Sequence, residues 1–236
     1  MPEYSKFARY YDAAYSFKKY QAEAERLHAI ISSFKLSPGN TLLDVACGTG
    51  GHLAFLRRHY SVEGLDLSEP MLEIARQRYP EIVFHQADMV KFDLARQFDA
   101  ITCLFSAIGY VKTVKHLGMA VNSMARHLKP GGVLIVEPWF TNETGKSGGP
   151  HSLFVDTPDL KLARMNITTV RNGRSIIKFH YLAGTPERID HFTERHELAL
   201  FAHQEYLDAF SSAGLEVSHD AQGLIGRGLY IGTSAI

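Results

Sequence analysis

The sequence predicts an α/β protein with a doubly wound, Rossmann-like parallel sheet and an inserted antiparallel β block. Strand-like and helix-like segments alternate between residues 40 and 139, and such alternation is typical of parallel strands joined by helices. After about residue 150 the pattern changes to alternating apolar and polar runs with a tight-turn signal between two of them, which indicates antiparallel strands.

The bulk composition indicates one globular domain over residues 1–236. The chain is 45% hydrophobic and 21% charged, which is ordinary for a protein with a buried core. Lys+Arg and Asp+Glu both number 25, so the formal charge is zero. This balance argues against a nucleic-acid partner, because such binding relies on an excess of cations that neutralise phosphates.

The N-terminal residues lack the apolar core of a signal peptide, and no apolar run reaches membrane-spanning length. The two cysteines, Cys47 and Cys103, fall at predicted strand ends without metal-ligand spacing. We therefore expect a cytoplasmic protein with no membrane partner and no metal.

The first 39 residues are predicted to form a helical cap. Ala24, Leu27 and Ile31 recur at helical spacing within residues 20–34, and the sequence LSPGN then stops the helix.

Five strands and three helices are predicted for the alternating region. The proposed helices are GHLAFLRRHY, SEPMLEIARQRYP, which begins at a Ser N-cap, and HLGMAVNSMARHLKPGG, which Pro-Gly-Gly closes. The proposed strands are TLLDVAC, SVEGLDLS, VFHQAD, FDAITCLFS and GVLIVEPW.

The inserted block, residues 150–201, is predicted to hold three antiparallel strands after a polar, Gly-rich loop. Asn172-Gly173 is a strong hairpin signal between LKLARMNITTV and SIIKFHYLA, and DHFTERHELALF is the third run. A helix, HQEYLDAFSSAG, and the strands LEVSHD and GLYIGTS complete the chain. We expect this block to cover the α/β core or to form a homodimer through it.

The stretch LLDVACGTGGHL, residues 42–53, combines a strand, a glycine turn and a helix, as a nucleotide-binding elbow does. Gly48 and Gly50 fit the dinucleotide pattern G-x-G-x-x-G, but its third glycine is Leu53 here. Asp44 also lies inside the strand, where dinucleotide folds usually carry an apolar residue. A dehydrogenase is therefore the weaker interpretation.

Two further acids follow the next strands. Asp66 closes the second strand, at a position suited to accept hydrogen bonds from a ribose, and Asp88 ends the third. Each has a purely structural alternative: Asp66 as part of the cap of the next helix and Asp88 as an ordinary loop acid.

This arrangement of motifs resembles the class I S-adenosylmethionine-dependent methyltransferases over residues 40–139. The resemblance implies S-adenosyl-L-methionine as the cofactor, with a class I methyltransferase sheet around it. It implies that the glycine loop wraps the methionine part, that Asp66 holds the ribose and that Asp88 contacts the adenine amine. The cofactor-binding residues implied in the strands and loops are Ala46, Gly48, Gly50, Asp66, Asp88, Met89 beside the adenine, and Leu104 on the floor of the site.

Further segments extend the resemblance nearly from end to end. EYSKFARYYD, FSAIGYVKT, VEPWF, FHYLA and GRGLYIG are similar to segments of the dTDP-3-amino-3,4,6-trideoxyhexose N,N-dimethyltransferases of antibiotic sugar pathways. This resemblance implies a nucleotide-linked amino sugar as substrate and methylation of its amino group.

The resemblance also implies roles for aromatic and basic residues. Tyr4 and Tyr110 are expected near the acceptor amine as the catalytic pair, while Tyr11 and Tyr20 are expected over the cofactor, whose sulfonium favours an aromatic face. Arg227, flanked by two glycines, is expected on the diphosphate, because a guanidinium pairs well with phosphate oxygens. Ser106 and Trp139 are the remaining residues expected at the acceptor.

One segment departs from the family pattern. EPWFTNETGKSGG stands where the family carries EPWWFPE, so the resemblance does not give the identity of the sugar. The alternatives left open are a class I methyltransferase acting on another small amine or hydroxyl, and a non-catalytic S-adenosylmethionine-binding module.

Overall fold

The computed structural model describes residues 6–236 of the chain. In chain order its α-helices and strands are α1 (Tyr11–Ala14), α2 (Tyr20–Phe34), β1 (Thr41–Val45), α3 (Leu53–Leu56), β2 (Ser61–Asp66), α4 (Glu69–Arg78), β3 (Val83–Gln86), β4 (Phe98–Cys103), α5 (Val114–Arg126), β5 (Leu128–Val136), β6 (His151–Asp156), β7 (Lys161–Arg171), β8 (Arg174–Gly184), β9 (Ile189–Ala199), α6 (His203–Ser212), β10 (Leu215–Asp220) and β11 (Leu229–Ser234).

Seven strands form the larger sheet, in the order β10-β11-β5-β4-β1-β2-β3. The five strands from β1 to β5 pair in parallel, and β11 runs antiparallel to both of its neighbours. Every residue of β4 is buried, as expected for a strand covered by helices on both faces. The predicted doubly wound α/β sheet is thus confirmed.

The smaller sheet is antiparallel, in the order β6-β7-β8-β9. Asn172 (φ 50°) and Gly173 (φ 68°) form the turn between β7 and β8, so the predicted hairpin is confirmed. The prediction of three strands is wrong, because β6 adds a fourth. Its sequence HSLFVD follows Gly148-Gly149-Pro150, and this loop composition hid a short edge strand with alternating burial.

The boundary between α5 and β5 also differs from the prediction. The helix ends at Arg126, whereas the sequence pattern ended it at Pro-Gly-Gly. Strand β5 already begins at Leu128, opposite Phe98, and its register with β4 then shifts so that Val133 faces Ala100. Residues 129–132 therefore form an irregularity within the strand, where Gly131 takes a left-handed φ of 71°.

A segment ahead of α2 lies between the larger sheet and the smaller one. Phe7 stacks on Tyr181 of β8 at 4.5 Å between ring centroids, and Tyr10 stacks on Phe192 of β9 at 5.9 Å. Helix α2 has the predicted bounds. None of the helices within residues 6–236 combines the length and the apolar character needed to span a membrane.

Candidate active site

The loop after β1 shapes one end of the site. Ala46 (φ 59°), Gly48 (φ 56°) and Gly50 (φ 81°) all take left-handed backbone conformations. Among residues 6–236, no atom lies within 4 Å of a Cβ placed on Gly48. This open side of Gly48 faces a cavity, so a ligand can approach the backbone closely.

The cavity has a volume of about 610 Å³ and lies at the carboxyl ends of β1, β2, β3 and β4. Ligands of doubly wound sheets bind at this edge. The predicted site residues that line the cavity are Tyr11, Ala46, Gly48, Asp66, Asp88, Met89, Leu104 and Tyr110.

A polar recess of about 30 Å³ adjoins the cavity. Tyr11, Leu104 and Phe105 line both spaces, and the predicted residue Tyr20 lines the recess. The charged or polar groups added there are Lys18, Asp44, Thr49 and His52.

Gly50 lines neither space. A Cβ on Gly50 would lie 3.2 Å from the ring of Tyr79, so this glycine allows the loop to pack against the end of α4. The adjacent Gly51 lines the recess, where an added Cβ would be 2.7 Å from the ring of Tyr20. The sequence predicted that the backbone at Gly50 lies close to a ligand. In the structure it is Gly51 that makes a close contact, and its partner is the Tyr20 side chain.

Asp66 fixes the glycine loop to the start of α4. Its Oδ2 accepts from the Gly48 N–H at 2.8 Å and its Oδ1 accepts from the Ser68 N–H at 2.8 Å. Burial raises the pKa of Asp66, while these backbone hydrogen bonds lower it. The carboxylate has further lone pairs for ligand hydroxyls. Ser68, the predicted N-cap of α4, makes no side-chain cap hydrogen bond.

Asp88 is less enclosed and lies two residues beyond β3. Its Oδ1 accepts from the Val90 N–H at 3.0 Å. Together with Met89 it forms the part of the cavity wall farthest along the sheet from β5.

Asp44 is the most buried acid of the recess. It is 2% exposed, and its Oδ1 accepts from the Thr102 hydroxyl at 2.8 Å. Burial raises the pKa of Asp44 to about 7. A cationic ligand group in the recess would favour the ionised form of this carboxyl.

Lys18 was not predicted and supplies the cation of the recess. Its side chain is 3% exposed and forms an ion pair with Glu23, which His52 also contacts at 2.8 Å. The Lys18 ammonium lies 4.3 Å from the centroid of the Phe105 ring. The only sequence signal for Lys18 is the run Lys-Lys-Tyr at the start of α2. This run is equally typical of a solvent-exposed helix start.

Strained backbone occurs where β4 ends. Phe105 (φ 51°) and Ser106 (φ 62°) are consecutive residues in the left-handed region, an arrangement that costs energy and is often found at functional sites. The Phe105 N–H donates to Oε2 of the buried Glu137 at 2.6 Å. This turn places the Phe105 ring in the walls of both the cavity and the recess.

Three predicted acceptor residues meet behind Phe105. The Arg227 guanidinium donates to the Ser106 hydroxyl at 2.8 Å and lies 4.6 Å from the centroid of the Trp139 ring. Burial lowers the pKa of Arg227. Phe140 adds a second aromatic ring 5.5 Å from the guanidinium. Arg227 is thus held in an aromatic setting beside the site.

Tyr110 lines a different part of the cavity wall. Its hydroxyl lies 2.7 Å from Nδ1 of His196, which belongs to β9 in the smaller sheet. Tyr4, the other predicted catalytic residue, lies outside the described residues.

Buried polar atoms at the acceptor side indicate a binding surface. Within residues 6–236, Glu137 Oε1, Trp139 Nε1 and both Nε and Nη1 of Arg164 have no hydrogen-bond partner. Such atoms are costly to bury unless a ligand or water meets them. Arg164 of β7 lies 5.2 Å from the ring centroid of the partly buried Tyr15. Arg164 carried no sequence signal, since it reads as an ordinary polar residue of an amphipathic strand.

The geometry fits a ligand with one apolar and one zwitterionic end. The cavity offers Asp66 to hydroxyls and an apolar wall to a planar base, while Lys18 and Asp44 suit a carboxylate and an ammonium in the recess. S-adenosylmethionine has this composition. Within residues 6–236, no group of three or more His, Cys, Asp or Glu side chains is arranged to hold a metal ion.

Comparison with known proteins identifies the family. A family model described as a methyltransferase domain matches residues 42–132. The chain is 40% identical to the dTDP-3-amino-3,4,6-trideoxy-alpha-D-glucopyranose N,N-dimethyltransferase of Streptomyces venezuelae, over 92% of each chain. It is also 40% identical to the dTDP-3-amino-3,6-dideoxy-alpha-D-glucopyranose N,N-dimethyltransferase of Streptomyces fradiae, over 91% of this chain and 85% of the relative.

Solved structures show the same likeness. The crystal structure of DesVI from Streptomyces venezuelae matches with a TM-score of 0.92 at 39% identity, over 98% of this chain and 99% of DesVI. The S-adenosylmethionine-bound structure of CalS10, an amino pentose methyltransferase, matches with a TM-score of 0.85 at 36% identity, over 95% and 96% of the two chains. The sheet order, the site at its carboxyl edge and these similarities agree: the chain belongs to the S-adenosylmethionine-dependent methyltransferase family that contains the amino-sugar N,N-dimethyltransferases.

Proposed function

We propose that this methyltransferase transfers methyl groups to the amino nitrogen of a dTDP-linked amino deoxysugar, giving the dimethylamino product. The observation that carries the proposal is Arg227, a partly buried cation whose guanidinium lies 4.6 Å from the centroid of the Trp139 ring, beside Phe105. A guanidinium held in this way suits a diphosphate. The relatives' names support an amino sugar on that diphosphate.

In this proposal the cofactor occupies both the cavity and the recess. Asp66 holds the ribose hydroxyls, while Asp88 and Met89 meet the adenine over the floor formed by Leu104. Lys18 and Asp44 hold the carboxylate and the ammonium of the methionine part. When bound, the cofactor supplies a methyl group on a sulfonium, which the amine nitrogen accepts as the sulfur–carbon bond breaks.

The acceptor enters on the side of Phe105 and Trp139. Arg227 binds the diphosphate, Ser106 fixes the guanidinium, and the unpartnered atoms of Glu137, Trp139 and Arg164 meet polar groups of the sugar. Tyr110 lies near the amine, where the sequence resemblance also implies a role for Tyr4. Alignment of the amine and exclusion of water then supply most of the rate acceleration.

Turnover on a panel of acceptors tests this function. We expect methylation of dTDP-3-amino-3,6-dideoxyglucose or dTDP-3-amino-3,4,6-trideoxyglucose, and none of the same amino sugars without the nucleotide. Arg227→Ala should weaken acceptor binding by about 1.5–3 kcal/mol, because it removes a charge-assisted contact. The acceptor KM should therefore rise far more than kcat falls. Affinity for S-adenosylhomocysteine should be unchanged.

Arg57→Ala is the matched control, since Arg57 is a half-exposed cation paired with Glu81 and lines neither the cavity nor the recess. Efficient methylation of small amines that lack a nucleotide, with no change in Arg227→Ala, would instead support the alternative of another small-molecule acceptor.

The partner and domain proposals concern the smaller sheet. We propose that residues 1–236 form one methyltransferase domain, with residues 1–39 as a cap and residues 150–201 as an insertion that forms a homodimer. Support comes from the sheet face turned away from Phe7, which exposes several apolar side chains: Phe154, Met165, Ile167, Leu182 and Ile189.

A cytoplasmic location is likewise a proposal, supported by the free thiols of Cys47 and Cys103.

A further inference from the structure

A hydrogen-bonded chain leads from the cavity into the smaller sheet. The Tyr110 hydroxyl lies 2.7 Å from Nδ1 of His196, and Nε2 of His196 lies 3.2 Å from Oε2 of Glu194. The other oxygen of Glu194 accepts from the Phe7 N–H at 3.3 Å. His196 is 2% exposed, so the central member of the chain is shielded from solvent, and Tyr110 at one end lines the cavity.

The partners of this chain set the direction of each hydrogen bond. An ionised carboxylate only accepts, so the His196 nitrogen that faces Glu194 carries the proton. In a neutral imidazole the other nitrogen, Nδ1, must then accept, and the Tyr110 hydroxyl donates to it. A hydroxyl that has used its proton offers only lone pairs elsewhere. Tyr110 therefore presents a hydrogen-bond acceptor toward the cavity.

We propose that His196 and Glu194 are positioning residues that fix the Tyr110 hydroxyl as an acceptor for the N–H of the substrate amine and take up its proton. The proposal rests on the proposed function, because it concerns the amine of that acceptor. It explains why a buried histidine and carboxylate from the smaller sheet contact a tyrosine of the methyltransferase core.

The proton step balances without any further group. Alkylamines are largely protonated near neutral pH and must lose a proton before the nitrogen can attack. The amine N–H bond breaks as a new O–H bond forms on Tyr110, and the original Tyr110 proton passes to Nδ1 of His196. The positive charge moves from the ammonium to the imidazolium, where the Glu194 carboxylate neutralises it.

A double-mutant cycle tests whether His196 acts through Tyr110. Tyr110→Phe and His196→Gln should each lower kcat on dTDP-3-amino-3,6-dideoxyglucose by about 10- to 100-fold, the effect of a lost charge-assisted hydrogen bond in the transition state. The double variant should be no slower than the slower single variant, since both remove one function. Affinity for S-adenosylhomocysteine should remain that of the wild type.

Glu194→Gln provides the second variant and His151→Gln the control. In Glu194→Gln, an amide NH₂ replaces one carboxylate oxygen. Phe7 N–H and His196 Nε2–H both need an acceptor, so one of these donors loses its partner. We therefore expect kcat to fall as in His196→Gln. His151 is exposed at the start of β6, and its substitution should leave kcat unchanged. Additive losses in the double variant, or full activity in Glu194→Gln, would overturn the proposal.

A measurement without acceptor separates this proposal from the proposed function. In protein labelled with ¹⁵N-histidine, we expect the signals of His196 to show a protonated Nε2 and an unprotonated Nδ1, with Nδ1 shifting in Tyr110→Phe. A proton on Nδ1 would contradict the proposed polarity, whether or not any sugar is methylated. Wild-type protein with the expected tautomer but no turnover on dTDP-amino sugars would instead overturn the proposed function and, with it, the assignment of the amine to Tyr110.

Discussion

At the scale of single residues, Asp44, Asp66 and Asp88 come from three neighbouring parallel strands, yet their surroundings give them different chemistry. Asp44 is enclosed and hydrogen-bonded only by Thr102 among the described residues, so burial raises its pKa to about 7. Asp66 is held by two backbone N–H groups. Asp88 is partly open to the cavity. From the recess to the far end of the cavity, the three acids follow the order of the cofactor's charged methionine end, its ribose hydroxyls and its adenine base.

Asp66→Ala should weaken cofactor binding by roughly 1–3 kcal/mol, because ribose hydroxyls lose their acceptor and the glycine loop loses the anchor at Gly48. Calorimetry with S-adenosylhomocysteine measures this loss. Asp93→Ala is the matched control: Asp93 also accepts a backbone N–H, from Ala95 at 2.9 Å, but it is exposed. Equal affinities for the two variants would exclude Asp66 from the ribose site.

The raised pKa of Asp44 makes cofactor binding depend on pH. Below pH 7 the carboxyl is largely protonated in the free protein, whereas the cationic end of the cofactor favours the carboxylate. Binding should therefore release a proton, and affinity for S-adenosylmethionine should rise roughly fivefold to tenfold from pH 6 to pH 7.5, following the ionised fraction of Asp44. Calorimetry in two buffers of different ionisation enthalpy measures both effects.

Asp44→Asn keeps an oxygen for the Thr102 hydroxyl but cannot ionise. We expect this variant to bind more weakly, with affinity that no longer changes over the same pH range. An unchanged pH dependence in Asp44→Asn would assign the titration to another group.

At the scale of elements, the segment before α2 covers the recess, and Asp12 attaches it to the larger sheet while Phe7 and Tyr10 pack on the smaller one. Asp12 of α1 accepts from the Thr49 hydroxyl at 2.7 Å and forms an ion pair with Arg78 at the end of α4. Thr49 belongs to the recess and Tyr11, the neighbour of Asp12, lines both spaces. Asp12 thus ties this segment to the wall of the recess.

Asp12→Ala should speed cofactor dissociation by about 10- to 100-fold, since a hydrogen bond to a charged group contributes about 1.5–3 kcal/mol. Arg78→Ala should have a smaller effect, because an exposed ion pair contributes about 1 kcal/mol or less. Surface plasmon resonance with S-adenosylhomocysteine gives the rates, and Asp208→Ala on the exposed side of α6 serves as the control. An unaltered dissociation rate in Asp12→Ala would show that the cover opens elsewhere.

At the scale of the whole molecule, the two faces of the smaller sheet differ. Leu162, Tyr181 and Phe192 pack on one face against the segment that begins with Phe7. On the other face, Phe154, Ala163 and Leu182 lie in one row across β6, β7 and β8 by their register, and Phe154 and Leu182 are 66% and 51% exposed. An exposed apolar face of this kind is typical of an interface.

We expect the protein to sediment at twice the 26.4 kDa of one chain. Leu182→Lys places a charge in the centre of the apolar face and should shift the protein to monomers at micromolar concentration. Sedimentation equilibrium measures the mass, with Ile236→Lys as a control at an exposed apolar residue outside the smaller sheet. A wild-type protein that sediments as a monomer would contradict the homodimer.

The sequence by itself determined the larger sheet and the cofactor. Near-continuous apolar strands, the glycine turn at Gly48 and the acids that follow successive strands are local patterns, and parallel strands bring their carboxyl ends to one edge. Asp66 and Asp88 were therefore expected in one site before their separation in space was known. Strand β6 was missed because its signal is short and lies beside a Gly-Pro loop.

Only the tertiary structure decided the rest of the site. The contact of Tyr110 with His196 joins residues 86 apart, and that of Arg227 with Ser106 joins residues 121 apart. Lys18 and Arg164 look like ordinary surface residues in the sequence, yet each is brought against an aromatic ring of another segment. Periodicity reports which face of an element is buried, whereas the partner across that face is set by how the two sheets pack, and for this reason the partners of these residues could not be predicted.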